Sequence, residues 1–180
     1  MLDRLIRAAR LDASLYEEVE ADPSSMGQAT AVVVLASIAG GIGTAGVEGQ
    51  PGFVLGLAVN LIGWYVWALV TYFIGTRLLP QASTEADVGQ LLRTLGFAAS
   101  PGLLRVLGFL PGIGALVMVA AAVWGLAAMV VAVRQALDYD STGRAILVCI
   151  IGWVVQILII MIPFFVIGSF SPSVGHAPAA

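Results

Sequence analysis

Charged residues are scarce in this sequence, and their scarcity excludes more classes of function than any motif does. Only 11% of the 180 residues are charged, whereas 59% are hydrophobic. Soluble domains carry about 25% charged residues, and so few charges would not cover an apolar core of this size in water. The composition therefore excludes a soluble enzyme, a disordered tail and a fibrous chain, and predicts an integral membrane protein.

Three reactive or basic residue types are also nearly absent. The chain has no Lys, one Cys (Cys149) and one His (His176). A lone Cys excludes an internal disulfide, and a single His far from it excludes the usual zinc sites and a Cys–His or Ser–His nucleophilic pair. A net charge of −3 without a basic cluster excludes nucleic acid as a partner. We expect no metal and no other cofactor.

Long uncharged stretches fill most of the chain. Four of them are 25 to 36 residues long, and about 20 helical residues cross the hydrocarbon of a bilayer. The first 25 residues hold nine of the nineteen charges, six of them acidic, which is not typical of a cleavable signal peptide. We predict retained membrane helices near Gly27–Val47, Pro51–Gly75, Gly112–Val133 and Arg144–Ile167.

A fifth apolar segment, Val88–Leu110, is interrupted. It contains Arg93, Arg105 and a Pro-Gly pair at 101–102 that would kink a helix. It is either a fifth span, or a surface helix followed by one long span from Leu103 to Val133. Five spans place seven of the eight Arg on the cytoplasmic side, as the positive-inside rule requires. This topology puts the N-terminus inside and the C-terminus outside, and lets Arg105 reach the outer headgroups.

The sequence thus predicts an all-α, polytopic membrane protein with five transmembrane helices and a short amphipathic N-terminal helix. Its parts are a cytoplasmic segment over 1–22, a transmembrane domain over 23–168 and a flexible tail over 169–180. In the first segment, apolar residues from Leu2 to Ala9 alternate at helical spacing with Arg4, Arg7 and Arg10. This pattern is typical of a helix on the membrane surface, where Arg contacts anionic lipid.

An acidic cluster directly precedes the first span. An anionic membrane would repel it, so we expect it to project into the cytoplasm and to dock a basic protein surface. The alternative is a solvated acidic turn that complements the dipole of the first membrane helix. The candidate docking residues are Tyr16, Glu17, Glu18, Glu20 and Asp22.

Polar and aromatic side chains inside the spans form a second candidate set. Asn60 and Gln156 each lie near the middle of a span, where an amide needs a partner and another amide is the simplest one. Trp64 and Trp67 share a helix face with Asn60 and lie too deep for an interfacial belt. With Arg105, these residues predict either a groove for a lipid or small ligand, or a packed interior seam.

Small residues recur every fourth position in three spans. In lipid, such rows let helix backbones approach closely, so they predict packing within the chain or, alternatively, contact with a second copy. The rows are Ala36/Gly40/Thr44 with Ser37/Gly41/Ala45, Gly52/Gly56/Asn60, and Ala121/Gly125/Ala128.

Three further stretches carry a family resemblance. They are the acidic element Tyr16–Pro23, the run Leu92–Phe97 that leads to two Pro-Gly pairs, and the turn from Arg134 to Ala145. Through them, residues 10–170 resemble the bacterial branch of the Yip family of small multi-pass membrane proteins. The resemblance implies five spans and a cytoplasmic N-terminus, and in eukaryotes roles in vesicle traffic, membrane shaping and recruitment of Ypt/Rab GTPases.

The expected function is non-enzymatic. No Asp or Glu lies inside the four uncharged spans, which excludes an intramembrane aspartyl protease and disfavours proton-coupled transport. We expect a protein of a bacterial cytoplasmic membrane that acts in membrane organisation or as an accessory subunit of a membrane complex, with lipids, a cytoplasmic protein or a second copy as partners. The alternatives are a small-solute transporter or channel, since discontinuous helices often form binding sites, and a lipid-handling protein.

Overall fold

The computed structural model describes residues 1–48 and 53–169, and within these ranges the fold is entirely helical. The predicted turn at Pro51-Gly52 and residues 170–180 of the predicted tail lie outside the described residues. Two 3₁₀ elements, Pro23–Ser25 and Ser100–Phe109, and a π-helical turn, Ile74–Leu78, accompany the α-helices; we refer to Ser100–Phe109 as the 3₁₀ segment. The α-helices are α1 (Leu2–Ala9), α2 (Ala13–Ala21), α3 (Met26–Glu48), α4 (Phe53–Phe73), α5 (Val88–Ala98), α6 (Gly114–Ala136) and α7 (Thr142–Ser169).

Four of these helical stretches are long and apolar enough to cross a membrane, which confirms a multi-pass membrane protein with spans where the sequence predicts them. The fifth predicted span is not confirmed as a membrane-crossing helix, because α5 has only 11 residues and is followed by the 3₁₀ segment. The four candidate spans are Pro23–Thr44, Val54–Leu78, Gly114–Ala136 and Thr142–Ile159.

The alternative of one long helix from Leu103 to Val133 is wrong. The 3₁₀ segment ends at Phe109, and the chain then turns before α6 begins at Gly114. Gly112 has φ +84°, a left-handed conformation that L side chains rarely adopt. The 3₁₀ segment packs back against α6, so the two form a hairpin and not a continuous rod.

Close contacts between small residues join α3 to the third segment. Ala29 lies against Gly96, and two turns further along α3 Ala36 lies against Gly102. At Gly43 the backbones meet: a Cβ there would overlap the Arg105 carbonyl oxygen. Because the residue numbers of the contacts increase together along α3 and along the third segment, the two segments run parallel. At Gly43, no side chain separates their backbones.

The other end of the bundle gathers the polar connections. Helix α2 packs on α5 and α6, and Glu17 accepts a hydrogen bond from Gln135 at 2.7 Å. The hydroxyl of Tyr139 donates to the carbonyls of Gly75 and Leu79, which fixes the 137–141 turn to the end of α4. The N-terminal segment, the connection after α4 and the turn before α7 therefore lie on one side.

Helix α1 forms as predicted, but its arginines do not all face outward. Arg4 and Arg7 turn toward α2, whereas Leu2 is 72% exposed and Ile6 is also exposed. The indole of Trp124 in α6 donates to the Ala9 carbonyl at 2.7 Å. The helix is thus held against the bundle, with Leu2 and Ile6 facing the surroundings.

The small-residue rows divide into packed and open ones. The row on α3 contacts the third segment, as expected for packing within the chain. Gly56 on α4 and Gly125 on α6 are different, since a Cβ at either would meet no atom within 4 Å. These two positions therefore do not serve close packing between helices of this chain.

The backbone contact at Gly43 generates a stability prediction. Gly43→Ala inserts a methyl group against the Arg105 carbonyl and should destabilise the protein by about 1–3 kcal/mol, the usual cost of overpacking. Gly56→Ala is the matched control, because it adds the same methyl group where there is open space. Thermal unfolding in detergent, followed by tryptophan fluorescence, should show a lower midpoint for the first variant only. Equal midpoints for both variants would contradict the contact.

Candidate functional site

A cavity of about 550 Å³ opens among the membrane helices. Side chains or glycines from α3, α4, α6, α7 and the third segment all line it. This volume lies within the range of about 300–1,000 Å³ that ligand pockets occupy. The lining includes all five residues that the sequence singles out inside the spans: Asn60, Trp64, Trp67, Arg105 and Gln156.

Arg105 is the one charged residue among the described residues that line the cavity. It is half-buried in the 3₁₀ segment, and the Gly43 contact brings its backbone directly against α3. Its side chain passes close to Gly40, where an added Cβ would lie at ordinary contact distance, 3.9 Å, from Arg105 Cδ. Within the described parts of the chain, no hydrogen bond or ion pair engages its guanidinium, and all four ion pairs use Arg4 or Arg7.

Two indoles from α4 form an inner wall of the cavity. Trp67 is only 8% exposed, and Gly152 of α7 packs closely on its ring. The Nε1 atoms of Trp64 and Trp67 are both buried, and neither has a hydrogen-bond partner among the described atoms. A buried indole N–H normally finds an acceptor. Neither donor is satisfied within the described part of the chain.

The two amides reach the cavity without meeting each other. Asn60 Nδ2 donates to the carbonyl of Gly56 on its own helix at 2.9 Å, and Gln156 Oε1 is buried without a partner among the described residues. The predicted pairing of these amides is wrong, since no hydrogen bond joins them in the described structure. Backbonding within the helix satisfies Asn60 instead.

Most side chains of the acidic cluster before α3 make contacts within the protein. Tyr16 is fully buried and its hydroxyl donates to the Ala8 carbonyl at 3.3 Å; burial raises its pKa above the usual range. Glu20 is 9% exposed. The expectation that the whole cluster projects into the cytoplasm is therefore wrong for these two side chains, whose burial between α2 and its neighbours removes them from solvent. Glu17 remains exposed.

Ion pairs occupy the remaining acids. Glu18 pairs with both Arg4 and Arg7 at 2.7 Å, and Asp22 accepts from Arg4 at 3.4 Å. Hydrogen bonds from Arg7 and Arg4 lower the pKa of Glu18, and those from Ser24 lower the pKa of Asp22. These pairs are partly exposed, so each adds little to stability. Their effect is to tie α1 to α2 and to withdraw both arginines from the lipid surface.

Arg93 is a structural residue that the sequence does not identify as such. It is 7% exposed, its Nε donates to the Val19 carbonyl at 2.9 Å, and its Nη2 donates to the Glu20 carbonyl. These carbonyls lie near the end of α2, where a helix leaves its last acceptors unsatisfied. In the sequence, Arg93 is a lone Arg in a largely apolar segment, and this pattern indicates a buried hydrogen-bond partner as readily as a membrane boundary.

The carboxylate of Glu20, whose backbone carbonyl accepts from Arg93, is desolvated. Burial raises its pKa to about 7, and the nearby charge of Asp138 adds to the shift, while Arg93 opposes it. The folded protein therefore binds a proton here that the unfolded chain, with an ordinary glutamate pKa, releases near pH 4.5. The contribution of Glu20 to stability therefore falls as the pH rises from about 4.5 to about 7 and then levels off.

Glu20→Gln should remove this pH dependence. The variant should match the native chain near pH 5 and exceed its unfolding free energy by up to about 3 kcal/mol at pH 8, because the amide never has to ionise in a buried position. Unfolding midpoints measured in detergent between pH 5 and 8 give the comparison. Glu17→Gln, on the exposed face of the same helix, should show no such divergence. A constant offset for Glu20→Gln across the range would contradict the assignment.

The described residues contain no group of three or more His, Cys, Asp or Glu side chains close enough to hold a metal ion. The cavity lining instead includes one guanidinium, the two buried indole N–H groups of α4 and two amides.

Comparison with protein families gives one match. The family model described as the Yip1 domain matches residues 13–163. The match covers every helix from α2 through most of α7. Comparisons with curated proteins and with solved structures found no match.

Proposed function

The chain belongs to the Yip1 domain family, and from that premise we propose that it is a non-enzymatic protein of a bacterial cytoplasmic membrane. In this proposal it organises its membrane by holding a lipid in the cavity between its helices. The single observation that carries the proposal is the cavity of about 550 Å³ with Arg105 and unpartnered indole donors on its walls. In this proposal, a protein partner or a second copy binds the protein when lipid already occupies its cavity.

The proposal includes five passes through the membrane. Val88–Phe109 comprises 11 α-helical and 10 3₁₀ residues joined at Ala99, which at about 1.5 and 2.0 Å per residue extend about 36 Å, enough for a hydrocarbon core of about 30 Å. The contacts of α3 with the third segment from Ala29 to Gly43 support the same conclusion. Over this stretch of about 21 Å, the third segment lies as deep as a candidate span does.

Five passes place the two termini on opposite sides, with the N-terminus in the cytoplasm. An alkaline phosphatase fused after Ala180 should therefore be active and a green fluorescent protein at the same place dark. The reverse pattern is expected for fusions that replace the chain after Gln81, in the polar connection that follows α4. A fluorescent fusion at Ala180 would contradict five passes.

The interaction surface on the cytoplasmic side is smaller in this proposal than the acidic cluster suggests. Glu18 and Asp22 are paired, and Tyr16 and Glu20 are buried. Glu17 and its neighbours on the exposed face of α2 are what a protein partner would contact. An additional partner in the membrane would find open space at Gly56 on α4.

A small-solute transporter is the second candidate, because a discontinuous segment lines the cavity, as in many transport sites. One preparation separates the two. Mild extraction followed by native mass determination should give protein with bound lipid, and proteoliposomes should show no flux of glycerol or urea above protein-free vesicles. If flux occurs and Asn60→Leu abolishes it in a folded protein, the transporter replaces the proposal. A lone monomer without lipid or protein would also contradict it.

A further inference from the structure

The walls of the cavity differ in chemistry from one part to another. Near the end where α3 meets the 3₁₀ segment they carry Arg105, and further toward the polar connections they carry the indoles of α4. Between these parts lie residues without bulk: at Gly63 and Gly125 an added Cβ would meet no atom within 4 Å. The cavity thus has a charged end and a mainly apolar continuation.

The charged end requires an anion or water. A guanidinium is always protonated and presents five N–H donors, and placing it at membrane depth without compensation is costly. The described lining residues supply no carboxylate. Arginine matches a phosphate or carboxylate group in a bidentate manner, so an oxyanion is the ligand group that fits this end.

Two buried indoles line the apolar continuation. Trp67 is 8% exposed, and the Nε1 atoms of Trp64 and Trp67 have no hydrogen-bond partner among the described residues. A flexible alkyl chain suits the space beside Gly63 and Gly125, because neither residue projects a side chain into it.

The size of the cavity limits what is enclosed. About 550 Å³ holds a part of a lipid, either its headgroup region or one chain, but the cavity is open on one side and need not enclose the whole molecule. We propose that it binds an acidic amphiphile, whose oxyanion pairs with Arg105 and whose chain passes beside Gly125 toward Trp67. This inference rests on the proposed lipid-binding function and names the ligand class.

The test uses the full chain in mild detergent. It is titrated with phosphatidylglycerol, with phosphatidylcholine, or with inorganic phosphate and glycerol phosphate, and followed by tryptophan fluorescence and native mass spectrometry. Phosphatidylglycerol should bind most tightly. Arg105→Gln should weaken it about tenfold, as loss of one charge-assisted contact does, whereas Arg10→Gln on the exposed end of α1 should leave it unchanged.

A second pair of variants tests the space for the alkyl chain of the lipid and leaves the charge of Arg105 in place. Gly125→Leu fills the space beside α6 and should weaken both lipids, whereas Gly56→Leu, the same change on a helix face outside the cavity lining, should weaken neither. These variants keep Arg105 in place, so they test the site even where Arg105→Gln lowers the yield of folded protein.

The outcomes separate the inference from the function beneath it. Equal binding of both lipids, or an unchanged affinity in Arg105→Gln, would overturn the acidic ligand and leave lipid binding intact. Binding of inorganic phosphate or glycerol phosphate as tight as that of phosphatidylglycerol would replace the amphiphile by a soluble anion. Absence of any lipid, with Gly125→Leu equal to the native chain, would overturn both the inference and the proposed function.

Discussion

The close approach of α3 to the third segment is the contact on which the rest of the structure depends. Without a hydrophobic drive between helices in lipid, packing of small residues supplies the association. Here Gly43 allows one backbone to touch another at the carbonyl of Arg105. That contact fixes how deep the 3₁₀ segment lies and therefore where the guanidinium of Arg105 lies among the helices.

The same arrangement explains why a cavity exists. The 3₁₀ segment packs mainly on α3 and α6, while the α-helical part of the third segment packs also on α4. The wall that α4 presents to the cavity is therefore built from Trp64 and Trp67 and not from contacts with a neighbouring backbone. A regular helix through Pro101 would require a backbone donor that proline lacks, so the break in the helix and the open space have a common origin.

The sequence predicts the parts that depend on a periodic or compositional signal. Charges at the ends of uncharged stretches locate four spans to within a few residues, and Pro101 marks the break in the third segment. Contacts between helices depend on which segment packs against which, and a composition or a periodic pattern does not predict them. The close α3 contacts fall at Ala29, Ala36 and Gly43, seven residues apart, and only Ala36 belongs to the predicted rows of four-residue spacing.

Charge pairs show the same limit. A row of arginines in α1 is typical of a helix that contacts anionic lipid, but α2 supplies Glu18 closer at hand. A lone Arg93 reads equally well as a membrane boundary, and only the fold brings the end of α2 to it. The five candidate residues share a cavity because α4, the 3₁₀ segment and α7 converge on it, which no single helix pattern specifies.

A structure of the protein determined in a lipid bilayer would show directly whether a ligand occupies the cavity that Arg105 and Trp67 line. The proposed lipid site predicts elongated density that begins at the Arg105 guanidinium and runs past Gly125 toward the two indoles. It would be contradicted by a closed bundle in which Trp64 and Trp67 fill the space, with no density between them and Arg105.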